Sequence, residues 1–215
     1  RGDLALLQKQ QEQPHIAQNR LHHPIAQLER TLDQLARPIA DTATLRGIEG
    51  SAASSTFAAI ACVLPESLHF TKRNRNPPRD PYNVGLSLGY TLLHYAMVRH
   101  IHLTGLDPCI GYYHSIMHNR ESLACDLLET IRPLADRFCL QLVSQQTLTA
   151  EHFSHTQNDG CLLGKAGRAR YYQAYEEHAQ LLRPAIEHSV QDLTQTILQN
   201  LPPAAPEENP PAPAQ

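Results

Sequence analysis

An imidazole, two carboxylates and a guanidinium fall within one short stretch, GLDPCIGYYHSIMHNRESLACDLLETIRPLAD, from Gly105 to Asp136. His114 follows a run of small and aromatic residues. Asp126 and Glu129 come after it on a segment that reads as a helix, three positions apart and therefore on one face. A further carboxylate, Glu49 in LRGIEGSAA, stands far upstream. One nitrogen with two or three carboxylate oxygens is a donor set that suits Mn²⁺ or Mg²⁺ better than a structural zinc. Such a set leaves metal positions open. Open positions beside guanidinium groups point to phosphodiester chemistry, in which the ion polarises a phosphoryl oxygen and lowers the pKa of an attacking water or sugar hydroxyl. Arg132 has two readings, holding a phosphate or pairing with Glu129 across one helical turn, and the spacing leaves both open.

These residues need helices to bring them together. From Asp3 to Ala40 the pattern is helical, with Pro14, Pro24 and Pro38 cutting it into segments and Ile25, Leu28, Leu32 and Leu35 forming the clearest apolar stripe. His22 and His23 read as surface residues. Asp41 or Thr42 can cap the next helix, on which Leu45, Ile48, Ala52, Ile60 and Leu64 recur at helical spacing and which carries Glu49. A lone helical glutamate is usually solvated. The small neighbours Gly47, Gly50, Ala52 and Ala53 predict that something packs or binds close to this turn.

The segment His69 to Asn83 is a proline-broken basic loop with Lys72, Arg73, Arg75 and Arg79, suited to phosphate oxygens. Asp80 and Pro81 then read as N-cap and first residue of a long helix ending at Gly105. Its apolar residues nearly encircle it, which predicts a buried central helix with Asn83 and Tyr90 as polar exceptions that need partners. His94, His100 and His102 read as satisfied or exposed side chains. Leu134 to Val143 is another apolar-periodic helix. A polar connection follows, holding a short helix around Glu151 to Phe153. Helix resumes from Lys165, interrupted at Pro184, with Lys165, Arg168 and Arg170 as a second basic cluster. Residues 201–215 are proline-rich, without material for a core, and are expected to be disordered. Period-2 alternation is missing throughout. The fold class expected is therefore all-α and multi-helical, with one domain over residues 1–200.

Composition excludes several classes. A net charge of −3 over 215 residues argues against a wholly basic nucleic-acid binder, though not against local basic patches. Cys62, Cys109, Cys125, Cys139 and Cys161 are odd in number, scattered, and never in a C-x-x-C pair, so neither a disulfide framework nor a thiolate zinc site is indicated and a reducing cytoplasm fits best. No apolar run approaches the ~20 residues needed to span a bilayer. His114 and His118 form H-x-x-x-H without the glutamate of the zinc-protease helix, and neither a G-x-S-x-G elbow nor a phosphate-cradling G-x-x-x-x-G-K-S/T loop occurs.

Three blocks taken together, LRGIEGSAASSTF, RNRNPPRDPYNVGLSLGYTLLHY and GLDPCIGYYHSIMHNRESLACDLLETIRPLAD, resemble in order and spacing the core of the CRISPR adaptation integrase family. A fourth, GCLLGKAGRARYYQAYE, is similar to that family's C-terminal helical segment. The resemblance runs from about Asp41 to Tyr175. It implies a helical catalytic domain whose Mn²⁺ or Mg²⁺ is held by Glu49, His114 and Glu129, with Asp126 as a supporting acid. The 3′-hydroxyl of an incoming DNA end then attacks a phosphodiester at a CRISPR repeat boundary, and the same site can cut branched DNA. Partners implied are double-stranded DNA, a second copy in a homodimer, and a small ferredoxin-like adaptation protein; some members are fused to a reverse transcriptase. The family's N-terminal β-rich domain is not in this sequence, which starts at Arg1 about where the catalytic helices should begin and is expected to be a fragment. Two other functions compete: a non-catalytic DNA-binding and assembly module, and a transposon-borne integrase with the same chemistry on different ends.

Overall fold

The computed structural model describes residues 18–114, 117–157 and 160–201. The helical stretch expected from Asp3 to Ala17, with Pro14 inside it, and the tail beyond Leu201 lie outside the described residues. Five α-helices, two single-turn 3-10 helices (Glu66–Leu68 and Ala150–His152, the latter at the short helix expected around Glu151) and one small hairpin make up the regular structure described: α1 (Gln18–Leu35), α2 (Thr42–Val63), α3 (Pro81–Leu103), α4 (Ser122–Ser144), β1 (Phe153–His155), β2 (Cys161–Leu163) and α5 (Lys165–Asn200). The class is all-α, as the periodicity predicts. No helix among the described residues is long and apolar enough to cross a membrane.

α1 buries Leu21, Ile25 and Leu28 and leaves His22 and His23 exposed. It packs on α2, whose start is fixed by the Asp41 carboxylate accepting the Thr44 amide at 2.7 Å. The expected break at Pro24 does not occur; the proline lies inside α1. Proline takes its amide from the carbonyl four residues back, here that of Arg20, and the Cys62 thiol on α2 donates to that carbonyl at 3.5 Å. The thiol also lies 3.3 Å from the Ala58 carbonyl of its own helix, so its one proton is shared and replaces the lost bond only in part.

α3 begins as expected, with Asp80 accepting the Asn83 amide at 2.9 Å and Pro81 in the first turn. It is central but not encircled: Leu86, Leu93, Met97 and Ile101 are fully buried, while Tyr95 is 67% and Leu103 71% exposed. Gly89 is required where α5 crosses, since a Cβ there would sit 2.8 Å from the Tyr171 hydroxyl, which donates to the Gly85 carbonyl at 2.9 Å. α4 is one helix rather than a separate segment from Leu134, and it passes straight through Pro133; α5 likewise passes through Pro184. Packing on neighbouring helices outweighs the proline cost at all three places.

The missed element is the antiparallel pair β1–β2, with Phe153 opposite Leu163 and His155 opposite Cys161. Three-residue strands are too short to show alternation. Cys161 also donates its amide to the Pro78 carbonyl at 2.8 Å, tying the hairpin to the basic loop. Its thiol is raised to about 11, first by burial and then by Asp80. Two apolar clusters hold the whole. One joins α1, α2 and the start of α3 to the end of α4 and Tyr171; the other joins the end of α3 to the start of α4 and the second half of α5. The candidate site lies where α2 and α4 face each other beside the first cluster.

Candidate active site

Three separate parts of the chain meet here: α2 with Glu49, the loop before α4 with His114, and α4 with Asp126, Glu129 and Arg132. The loop is wrapped around one carboxylate. Asp126 Oδ2 accepts the amides of Tyr112 at 2.7 Å and Tyr113 at 2.9 Å, and Oδ1 accepts the His114 amide at 3.0 Å. The His114 ring also bonds to Oδ1 through Nδ1. The Asp126 side chain is fully buried. Burial pushes its pKa up, but the amides of Tyr113, Tyr112 and His114 and the His114 ring outweigh it and hold the carboxyl below the ordinary range. Gly111 lets the loop come this close: a Cβ there would stand 2.7 Å from Asp126 Oδ2 and 2.8 Å from Ser122 Cβ.

Glu49 is reached from the same loop. The Tyr113 hydroxyl donates to Glu49 Oε2 at 2.8 Å, and Arg46, one turn back on α2, donates to the Tyr113 carbonyl at 3.0 Å while lying over its ring at 5.4 Å. Glu129 pairs with Arg132 at 2.5 Å. Burial is the main cause of a raised Glu129 pKa, Arg132 opposes it, and Glu49 adds to it; His114 and Arg75 are also near enough to act on this carboxyl. The Arg132 guanidinium sits over the Tyr90 ring at 4.9 Å, and the Tyr90 hydroxyl is tied to Asp136.

A cavity of about 270 Å³ opens at this seam, lined by Glu49 and Glu129 together with Arg73, Arg75, Arg132 and Tyr90. The expected phosphate-binding residues therefore divide. Arg73 and Arg75 face the cavity, whereas Lys72, Arg79, Lys165 and Arg170 are exposed elsewhere. Arg168 donates to the Leu163 carbonyl at 3.1 Å and so holds the end of β2. Arg73 ties its loop to α3: it donates to Asn83 Oδ1 at 2.8 Å and Ser87 Oγ at 3.1 Å. Asn83, the polar exception on α3, is the hub of that loop, donating to the Lys72 carbonyl at 2.9 Å and Asp80 Oδ2 at 2.6 Å. Tyr113 makes the close contact expected at the Glu49 turn, but not at the glycines: Gly47 and Gly50 have open space where a Cβ would be. His94 bonds to Glu121 at 2.5 Å and His102 is exposed.

The donors fit a hard divalent ion in kind. His114 gives Nδ1 to a buried carboxylate, which leaves Nε2 as its lone-pair nitrogen, the arrangement by which a second carboxylate orients a metal-binding imidazole. Glu49 and Glu129 offer carboxylate oxygens, and the Glu129 anion is costly to bury without a cation. The set is not drawn into a closed cage: among the described residues no three His, Cys, Asp or Glu side chains converge as a metal-holding group. Each expected ligand instead has a protein partner: Tyr113 for Glu49, Asp126 for His114 and Arg132 for Glu129. Sequence reasoning missed Tyr113 and Arg46, which stand 64 and 67 positions from their partners. It also missed Asp136, the partner that a buried Tyr90 hydroxyl demands.

The sequence pattern of CRISPR associated protein Cas1 matches residues 3–177. CRISPR-associated endonuclease Cas1 1 of Thermodesulfovibrio yellowstonii is 45% identical over 157 residues, which cover 73% of this chain and 49% of that protein. The chain spans about half the length of the curated relatives it matches, or less. A chain of the Cas6-RT-Cas1–Cas2 complex superposes with a TM-score of 0.75 at 25% identity, over 93% of this chain and 23% of that one. A casposase bound to integration product shares the fold, with a TM-score of 0.66 at 22% identity over 82% of this chain and 48% of that one. With the family pattern covering most of its length, the chain belongs to the family of CRISPR associated protein Cas1.

Proposed function

We infer that this chain carries the catalytic site of a metal-dependent DNA integrase and nuclease of CRISPR adaptation, joining 3′-hydroxyl ends of spacer DNA to the CRISPR array. The observation that carries this is that Glu49 and Glu129, from separate helices, line one cavity with Arg75 and Arg132, while His114 lies near enough to act on the Glu129 carboxyl. Mn²⁺ or Mg²⁺, when bound, polarises a phosphoryl oxygen and acidifies an attacking hydroxyl. His114 Nε2, Glu49 and Glu129 are the residues to hold it. Asp126 keeps the imidazole proton on Nδ1 and fixes the ring against the loop. In strand transfer one bond from phosphorus to a 3′-oxygen forms as another breaks, so the count of phosphodiesters is unchanged and no external energy source is needed; with water as nucleophile the same geometry gives hydrolysis.

The substrate in this reading is double-stranded DNA. Lys72, Arg75, Arg79, Lys165 and Arg170, all exposed, are its backbone contacts, and Arg73 and Arg168 support the loops that present them. Assembly with a Cas2-type small protein and linkage to a reverse transcriptase carry over from the named complex, and a homodimer from the family resemblance. The cytoplasm, where DNA is met, is the compartment. A strand-transfer assay in Mn²⁺ tests the reading: His114→Ala abolishes product, and product equal to the parent's refutes it. A second reading, a non-catalytic DNA-binding module, is favoured by the protein partner that each expected ligand already has. Calorimetric Mn²⁺ titration separates the two, because such a module shows no binding sensitive to Glu49, His114 or Glu129.

A further inference from the structure

Arg132 and Arg73 both face the Tyr90 ring, yet their donors are used differently. Arg73 spends its terminal nitrogens on Asn83, Ser87 and the Asn74 carbonyl, so it is scaffold. Arg132 has one short pair to Glu129 through Nη1; the Nε of each arginine is buried without a partner among the described residues, so the difference lies in the terminal nitrogens. A guanidinium carries five donors in a rigid fork. Its seat does not depend on Glu129: the Tyr90 ring lies beneath it at 4.9 Å, and Tyr90 is anchored through its hydroxyl to Asp136 on the next turn of α4. If the pair opened, the fork would stay over the ring, partly withdrawn from water and without its directly bonded counter-charge, with Asp136 and Glu49 acting on it only from farther off.

On the metal reading two cations converge on Glu129, the divalent ion and the Arg132 guanidinium. A carboxylate that takes a divalent ion has less charge to give a guanidinium, and a partly buried guanidinium deprived of its carboxylate favours another anion. Arg75, exposed and on the same cavity, adds positive potential there. We propose that Arg132 is the residue that receives a DNA backbone phosphate at this site, and that Glu129 holds it in reserve until a divalent cation draws Glu129 away. The proposal rests on the metal reading above and deepens it: metal and phosphodiester bind with positive coupling, and by linkage each strengthens the other. Arg132 acts here as a positioning residue for the phosphate.

The test needs no catalysis. Binding of a short fluorescein-labelled DNA duplex to the full chain is measured by anisotropy in EDTA, with Glu129→Gln standing in for a glutamate withdrawn by metal. The expected result is about tenfold tighter binding, the size of one charge-assisted contact. Glu49→Gln removes the same charge from the same cavity without freeing Arg132, and gains no more than about twofold, the part owed to screened repulsion. Adding Arg132→Gln to Glu129→Gln erases the difference. Calorimetry with Mn²⁺ alone gives the opposite sign for the same residue: Arg132→Gln tightens Mn²⁺ binding, because a competitor for Glu129 has gone. Arg132→Lys, with the fork removed and the charge kept, gives a second folded variant, and it too loses most of the gain. Equal gains from Glu129→Gln and Glu49→Gln, or a gain that survives loss of Arg132, overturn the proposal. Absence of Mn²⁺ binding by the parent sinks the metal reading instead and leaves the EDTA comparison to decide the role of Arg132.

Discussion

Asp126→Asn separates two jobs that one carboxylate performs. The asparagine fits the same space but offers one acceptor oxygen and one amino group where Asp126 offers two oxygens, which between them take three backbone amides and the His114 ring. With the carbonyl at the Oδ1 position, the amino group faces the amides of Tyr112 and Tyr113 and two donors are orphaned. With the carbonyl at Oδ2 only the His114 amide is orphaned, so this orientation wins. One unsatisfied buried amide costs about 1–3 kcal/mol. For a chain of this size that lowers Tm by about 2–4 °C per kcal/mol. In the same orientation the new amino group points at His114 Nδ1, which can accept it only by moving the ring proton to Nε2. On the proposed metal reading the nitrogen that would hold the ion is then blocked, and Mn²⁺ affinity should fall by about 10- to 100-fold. Thermal melting, calorimetric Mn²⁺ titration and nitrogen NMR of the His114 tautomer follow the three effects. Parental Mn²⁺ affinity with Nε2 unprotonated would refute the assignment of Asp126 as the residue that orients His114.

Further outcomes follow from neighbouring geometry. Gly111→Ala places a methyl 2.7 Å from Asp126 Oδ2 and should cost about 1–3 kcal/mol in urea denaturation. Gly47→Ala, in open space inside α2, should instead stabilise by roughly 0.5–1 kcal/mol. The Asp126 carboxyl is held below its ordinary value in the fold, so the stability it contributes is complete above about pH 3.9 and is lost as the pH drops through its lower folded-state value. Acid melts of the parent should show this loss, and Asp126→Asn should flatten it. Asn83→Ala removes a fully buried hub with bonds to Lys72, Arg73, Asn74 and Asp80. It should cost about 3 kcal/mol and open the loop between Lys72 and Arg79 to proteolysis at temperatures where the parent resists.

The start of α2 at Asp41 and of α3 at Asp80 and Pro81 was readable because caps act locally, within three residues of the group they satisfy. The shared face of Asp126 and Glu129 was readable for the same reason. Helix continuity through Pro24 was not, since the replacement donor, Cys62, comes from another helix. Pro184 also misled, since α5 runs on through it while packed against α3 and α4. The hairpin escaped notice because its hydrogen bonds join strands shorter than one period of any pattern. At the site, residue types and order suggested His114, Asp126 and Glu129 with Glu49, and the family resemblance singled out Glu49, His114 and Glu129 as ligands, but neither told what each holds. The Tyr113 to Glu49 bond and the Tyr90 to Asp136 bond depend on how α2, α3 and α4 pack, and no local signal carries that. The basic loop reads as one charged run, whereas the fold uses Arg73 as internal bracing and leaves Lys72 and Arg79 exposed.

The bond from Tyr113 to Glu49, with Arg46 fastening Tyr113 in turn, gives α2 a polar clasp to the α4 side in addition to the shared apolar cluster. Glu49 belongs to one leaf of the molecule, His114 and Glu129 to the other. An ion shared between them, as proposed, would therefore be a rivet across a joint as well as a reagent. At a free concentration one hundred times its dissociation constant it would add about 2.7 kcal/mol to the closed state. Where local opening of that joint competes with global unfolding, the gain appears as slowed amide exchange in α1 and α2 more than in α3. Breathing of the α1–α2 leaf then gauges how firmly the site is assembled, without any DNA present.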